Sequence, residues 1–166
     1  MEWNYEFDVV VVGSGNGALT AALCSHDGGA KTLVIEKSSQ FGGTSATSGG
    51  GVWIPNNRYA KAENVDDSDQ DARDYINSVS PEGMIKDELI ETYISEGPRM
   101  VDYLHKNSQV KYRNLAHYPD YFPDNTGGKE GNRSMEPEPI FGTELGDDLG
   151  KLREQHPQTA FTMGPI

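Results

Sequence analysis

Apolar positions first cluster at Val9–Val12, in the stretch F-D-V-V-V-V that begins at Phe7. A short β-branched run of this kind suits the central strand of a parallel sheet, covered on both faces. Gly13 ends it. From Gly15 to Ser25 the period changes: Ala18, Ala21 and Ala22 recur at helical spacing, and Asp27-Gly28-Gly29 supplies a stop. Thr32 to Glu36 (T-L-V-I-E) is a second β-branched run, so the first 36 residues predict a β-α-β unit of about the minimum length for a crossover. The fold class that follows is α/β.

Phe41 to Gly51 then interleaves Gly42, Gly43, Gly49, Gly50 and Gly51 with Thr44, Ser45, Thr47 and Ser48, small residues that let backbone approach a ligand closely. A flexible linker is the plain alternative, but Val52-Trp53-Ile54-Pro55 follows at once, and linkers seldom carry such bulk. Ser68 can cap a helix to Ser80 with Ala72, Tyr75, Ile76 and Val79 on one face. Met84 to Glu96 predicts another helix, which Gly97-Pro98 breaks before a third around Met100 to Lys106. These helices are expected to form an insertion covering a cofactor domain. From Arg113 onward, Pro119, Pro123, Pro137, Pro139 and Pro157 leave no sustained period, and an irregular segment is expected over 113–166 after a domain over 1–112.

Composition narrows the function. The 166 residues are 35% hydrophobic, which implies a modest core or one completed by other polypeptide. A net charge of −12 argues against nucleic acid as partner, because phosphate binding relies on clustered Lys and Arg. No apolar run is long enough for a membrane span, and the Met1-Glu2-Trp3-Asn4 start lacks a signal-peptide pattern, so a cytoplasmic setting is expected. Cys24, the single cysteine, excludes an intrachain disulfide and is expected to pack as a small apolar side chain. His26, His105, His117 and His156 lack metal-ligand spacing; the run Asp66 to Asp71 suits a helix N-terminus better than a calcium loop. No metal is expected.

Gly13-Ser14-Gly15-Asn16-Gly17-Ala18 fits G-x-G-x-x-A in the strand-to-helix context that this motif requires. Gly13 permits the turn, Gly15 lets backbone reach a diphosphate, Ala18 allows close helix-strand packing, and the helix start directs free N–H groups at the phosphates. Glu36, about 20 residues on, is placed to accept hydrogen bonds from ribose hydroxyls. A glycine turn with an ordinary surface Glu is the bland alternative; the agreement of strand, glycines, helix, strand and acid weighs against it.

Taken together, D-V-V-V-V-G-S-G-N-G-A, V-I-E-K (ending at Lys37) and F-G-G-T-S-A-T-S-G-G-G-V-W-I-P-N-N closely resemble the flavoproteins that include 3-ketosteroid Δ1-dehydrogenases, within the wider fumarate reductase group. Tyr118-Pro119-Asp120-Tyr121-Phe122-Pro123, Gly127-Gly128-Lys129, Asn132-Arg133-Ser134 and Glu136-Pro137-Glu138-Pro139 extend the resemblance over nearly the whole chain. It implies FAD held without a covalent bond, with Gly42, Gly43, Thr44 and Ser45 along the ribityl and diphosphate. It also implies that Ala46 to Gly51, including Thr47, Ser48, Gly49 and Gly50, border the isoalloxazine ring. Tyr121 matches a tyrosine that takes part in proton removal, with Tyr118 the alternative. The competing reading packs Tyr121 beside Phe122 with a hydrogen-bonded hydroxyl. An ordinary phenol has a pKa of about 10, so such a base needs neighbours that stabilise its anion or relay the proton.

The implied activity is 1,2-desaturation of a 3-ketosteroid or similar cyclic ketone, with an electron acceptor still to be identified. A fumarate-reductase-like or Δ4-dehydrogenase activity is an alternative, because fold and cofactor do not fix substrate. A non-catalytic nucleotide-binding module is another, opposed by the intact Gly42 to Gly51 block. Family members are much longer, so the chain is expected to be a fragment, a truncated product or one piece of a split enzyme. Its partner is then the rest of that enzyme, in cis or as a second chain, and alone it is expected to be marginally stable and inactive.

Overall fold

The computed structural model describes residues 4–155. They fall into two compact units: one takes the chain up to Gly50 and resumes at Ile140, and the other is Gly51–Pro139.

In the first unit, β1 (Val9–Val12) and β2 (Thr32–Ile35) pair in parallel, Val9 opposite Thr32 and Val12 opposite Ile35. They are joined by α1 (Asn16–Asp27), which packs on both strands. The expected β-α-β unit is present. At the end of α1 the Gly28 amide bonds the Cys24 carbonyl at 3.0 Å, and Gly29 turns the chain at φ +87°. The expectation of a strand covered on both faces is corrected: Val10 and Val12 are exposed, Val12 to 78%. Side chains alternate along a strand, and α1 covers only one of the two faces. Cys24 is likewise exposed, on a helix that has no fully buried residue. Beyond the glycine-rich stretch, Phe41 forms a parallel bridge with Leu152, after a 3-10 segment Gly142–Lys151 that kinks at Gly146.

In the second unit, β3 (Val52–Trp53), β4 (Tyr112–Asn114) and β5 (Ser134–Pro137) form an antiparallel sheet in the order β3-β5-β4. The segment after Arg113 is therefore less irregular than expected, and the boundary expected at 112 falls inside β4. Strands of two to four residues offer no measurable alternation, and their partners are far away in sequence. Three helices accompany the sheet: α2 (Arg58–Ala62), α3 (Asp69–Val79) and α4 (Asp87–Asn107). Ser68 caps α3 as expected, its hydroxyl accepting from the Asp71 amide at 3.1 Å.

The break expected at Gly97-Pro98 is corrected, because α4 runs through it without interruption. A proline inside a helix costs about 3 kcal/mol. Ile90, Ile94, Val101 and Leu104 form one buried stripe spanning the proline, and each buried aliphatic side chain contributes roughly 1.5–3 kcal/mol. The stripe wins. Gly97 also lets the helix lie against Ile54, which with Val101 and Met135 makes the main core cluster. Ala72, Ile90 and Ile94 form the second. Fully buried Asn57 caps α2 and donates to the Ile54 and Asn132 carbonyls, both at 2.9 Å, which gives the I-P-N-N motif a structural reason. Among the described residues, no helix is long and apolar enough to cross a membrane.

Candidate functional site

The glycine turn of the first unit is built around Ser14. Gly13 leaves β1 at φ +101°, its amide bonding the Ile35 carbonyl at 2.7 Å, so the turn is tied to the end of β2. Ser14 is buried there, donating to Glu36 Oε2 and accepting from the Gly42 amide at 2.9 Å. One hydroxyl thus connects the motif, the acid after β2 and the glycine-rich stretch. The Glu36 carboxylate also accepts from the Ser38 amide at 2.9 Å. These hydrogen bonds, that from Ser14 foremost, hold the Glu36 carboxyl below its usual range and keep it ionised. Lys37 beside it is exposed.

Gly15 stands at the N-cap of α1 with no capping side chain of its own, and no acidic residue occupies the first turn. Ser45 reaches across instead, its hydroxyl accepting from the Asn16 amide at 3.0 Å. The added Cβ of a larger residue at Gly15 would lie 3.4 Å from that hydroxyl, and one at Gly43 would lie 3.5 Å from the Gly15 backbone. Gly13 and Gly17 instead face open space. Ala18 is half-buried in the first turn of the helix. Gly42 is different: buried at φ +107°, it leaves only 2.6 Å between a notional Cβ and Ala46, so it serves packing. Ser45–Thr47 is a single 3-10 turn, in which Thr47 donates to the Thr44 carbonyl at 2.8 Å. Ser48 accepts from the Gly50 amide at 3.0 Å, while Gly49 is exposed. Gly51 is exposed and belongs to the second unit.

In the second unit, Tyr118 and Tyr121 line one cavity of about 320 Å³ with Trp53, Tyr75, Ile76 and Phe122. Tyr121 is 84% exposed, and its hydroxyl makes no hydrogen bond among the described residues. The backbone around it is fixed. Asp120 and Lys129 bond reciprocally, the Asp120 amide to the Lys129 carbonyl at 2.9 Å and the Lys129 amide to Asp120 Oδ2 at 3.0 Å. Trp53 Nε1 donates to Asp120 Oδ1 at 2.6 Å, and the Phe122 amide donates to the Tyr75 hydroxyl at 3.3 Å.

Beneath this loop lies Arg133, only 1% exposed. It donates to Asp120 Oδ2 at 2.9 Å and, through Nη2 and Nε, to Asp67 at 2.7 and 3.1 Å. The Trp53 and Tyr75 rings lie 5.5 and 5.7 Å from its guanidinium carbon. Among the described residues, no group of His, Cys, Asp and Glu side chains is arranged to hold a metal ion.

The FAD binding domain family matches residues 8–164. The chain belongs to that family. As an FAD binding domain it is 40% identical, over 95% of its length, to 3-oxosteroid 1-dehydrogenase of Mycolicibacterium smegmatis. It is 38% identical, also over 95%, to 4-oxocyclohexanecarboxylate 2-dehydrogenase of Sinomonas cyclohexanicum. In structure it superimposes with a TM-score of 0.85 and 40% identity on 3-ketosteroid Δ1-dehydrogenase of Sterolibacterium denitrificans, solved in complex with 1,4-androstadiene-3,17-dione. That match covers 92% of this chain and 27% of the other, and the chain spans 28% and 27% of the two relatives' lengths.

The cofactor of this FAD binding domain is FAD, and the first unit fits it. The first turn of α1, its Asn16 amide bonded to Ser45, presents its further amides and positive dipole to a diphosphate, Gly17 leaves the approach open, and ionised Glu36 is an acceptor for ribose hydroxyls. Sequence reasoning missed the Arg133 cluster. Its members lay inside the quoted motifs, but no local spacing joins Asp67, Asp120 and Arg133. A usable signal was Arg133 flanked by Asn132 and Ser134 in a chain poor in cations.

Proposed function

We propose that the enzyme to which this chain belongs desaturates a 3-ketosteroid, or a similar cyclic ketone, between C1 and C2. The observation that carries this reading is Tyr121: a phenol exposed on a fixed loop, beside an aromatic cavity that Tyr118, Trp53 and Phe122 also line. A rigid, largely apolar site with few polar groups suits a flat alicyclic substrate. The two relatives named above act on ring ketones by name, which supports the same substrate class.

In the proposed reaction the substrate loses two hydrogens from adjacent carbons and gains a C1=C2 bond. Bound FAD would supply the acceptor for the hydride lost from C1. The Tyr121 oxygen, as the phenolate, takes the proton from C2, next to the ketone, and becomes the neutral phenol, with Tyr118 as the alternative acceptor of that proton. Gly13, Ser14, Gly15, Asn16, Gly17 and Ala18 hold the diphosphate, and Glu36, next to Lys37, holds the ribose. Gly42, Gly43, Thr44 and Ser45 would hold the ribityl chain, and Thr47, Ser48, Gly49, Gly50 and Gly51 would hold the ring. The proposal includes a cytoplasmic setting, supported by the acidic composition and the single free Cys24, and the rest of the enzyme as partner.

The test is Tyr121→Phe in the FAD-loaded enzyme, assayed with a 3-keto-4-ene steroid and a redox dye, the product being identified by a mass two hydrogens lower. General-base loss predicts a decrease in kcat of about 10²–10⁴-fold with flavin still bound. Unchanged kcat would remove Tyr121 from the mechanism, and a product of unchanged mass would remove the reaction.

A further inference from the structure

The loop that presents Tyr121 is held more firmly than an exposed loop requires. The peptides on both sides of Tyr121 are anchored to buried groups, Asp120 through its carboxylate and Phe122 through its amide, while the side chain between them remains exposed. The Asp120 carboxylate accepts from three directions: the Trp53 indole, the Lys129 amide and the Arg133 guanidinium. Arg133 is in turn fixed by Asp67, whose Oδ2 also accepts from the Asn56 amide at 2.7 Å and whose Oδ1 accepts from the Ser68 amide at 3.0 Å. Asp67 lies just before α3 and Arg133 just before β5, so the anchor is tied to regular elements.

A surface ion pair would contribute little to such a task, because exposed pairs are screened and pay side-chain entropy. Here Arg133, Asp67 and Asp120 are at most 3% exposed as side chains. Buried charge of this kind is weak evidence for stability, since apolar replacements of similar size are often as stable. Its geometric effect is stronger, because each carboxylate oxygen has directed partners, and a reacting group must be held within about 0.5 Å of its productive position.

We infer that Asp120, fixed by Arg133 and the Trp53 indole, is a positioning residue that sets the placement of the Tyr121 phenol for proton removal. The inference rests on Tyr121 acting as proposed above. Asp120 does not meet the substrate in this scheme; it acts by holding the peptide from which Tyr121 projects. A displacement of about 1 Å at a reacting group costs up to about 10²-fold in rate.

The experiment compares the parent FAD-loaded enzyme with Asp120→Asn, Trp53→Phe, Tyr121→Phe and the double variant Asp120→Asn/Tyr121→Phe. Steady-state kcat and KM are measured with a 3-keto-4-ene steroid, and the slow variants are followed by bleaching of flavin absorbance in a single turnover. Asp120→Asn is expected to lower kcat about 10- to 100-fold with KM and bound flavin close to the parent's. In the Tyr121→Phe background it is expected to cause no further loss, because both substitutions then remove one contribution. Trp53→Phe deletes the 2.6 Å indole donor and keeps a smaller ring over Arg133; because Trp53 also lines the cavity, its KM is read beside kcat, and a kcat loss at parent-like KM reports the same effect, smaller, should Asp120→Asn fail to fold.

Parent-like kcat in both Asp120→Asn and Trp53→Phe overturns the inference while leaving Tyr121 in place. So does a loss from Asp120→Asn that multiplies fully on top of Tyr121→Phe. Parent-like kcat in Tyr121→Phe instead brings down the underlying reading, and the inference with it.

Discussion

Replacing Arg133 by methionine, a side chain of similar length without charge, tests the buried cluster most directly. Arg133→Met leaves Asp67 and Asp120 in place with side chains 3% and 2% exposed. Each keeps other donors: Asn56 and Ser68 amides for Asp67, Trp53 and the Lys129 amide for Asp120. What disappears is the cation bonded to both, together with its attraction to the Trp53 and Tyr75 rings. Removing one partner of a buried ion pair costs roughly 3–5 kcal/mol, and a lost cation–π contact adds about 0.5–2 kcal/mol. The assay is urea unfolding of the chain followed by tryptophan emission, which Trp53 in the cluster and Trp3 both supply. With a urea slope of about 1–3 kcal/mol per molar, the midpoint is expected to fall by at least about 1 M. A triple variant, Asp67→Asn, Asp120→Asn and Arg133→Met, is expected to recover part of the loss, because it leaves no uncompensated charge. An Arg133→Met midpoint within about 0.3 M of the parent would refute the reasoning, since the cation would then contribute less than an exposed pair.

Ser14→Ala deprives the buried Gly42 amide of its acceptor, which costs about 1–3 kcal/mol; FAD affinity, read by flavin fluorescence, is expected to weaken about 5- to 100-fold. The Glu36 carboxyl has a lowered folded-state pKa, so its contribution is complete above the ordinary 4.5 and is lost as pH falls through the lowered value. FAD affinity should therefore be flat from about pH 8 to pH 5 and decline only in stronger acid, whereas a decline already between pH 7 and pH 5 contradicts the assignment. Asp71, held down by Lys129 and by the Ser68 hydroxyl, follows the same sign: its contribution persists above the ordinary 3.8 and fades below it, which a pH series of melting temperatures on Lys129→Met and parent would separate. Gly127→Ala would force a Cβ to 2.1 Å from the Asp71 carbonyl at φ +77°, and a loss of at least about 2 kcal/mol in thermal unfolding is expected.

The β-α-β unit was legible because everything that defines it is local: β-branched runs, a glycine at φ +101° between strand and helix, and an acid one residue past β2. The roles of Gly42 and Ser14 were only half legible. The motif marked both as close to a ligand, but the hydrogen bond between them joins positions whose contact depends on the folded turn. Tyr121 could be named from the resemblance, yet the reason for its exposure, the anchors on Asp120 and Phe122, involves residues from four separate stretches of chain. Pro98 misled because a local breaker was weighed without the buried stripe that outweighs it. Val12 and Cys24 were assigned to a covered interior because apolar character was read as burial, while the described chain supplies one covering helix and no second layer for that face.

The Phe41–Leu152 bridge bears on the order of assembly. Its two strands of chain meet through the Phe41 amide on the Lys151 carbonyl and the Arg153 amide on the Phe41 carbonyl, both at 2.9 Å, with Gly51–Pro139 lying between them in sequence. Closing a flexible loop of about 110 residues costs roughly 4 kcal/mol beyond a constant, more than two such hydrogen bonds return. A nascent chain therefore gains nothing by making this closure early. Once the intervening stretch has collapsed, far fewer degrees of freedom separate the two ends, and the join becomes a late event whose rate depends on how well the stretch between them has folded.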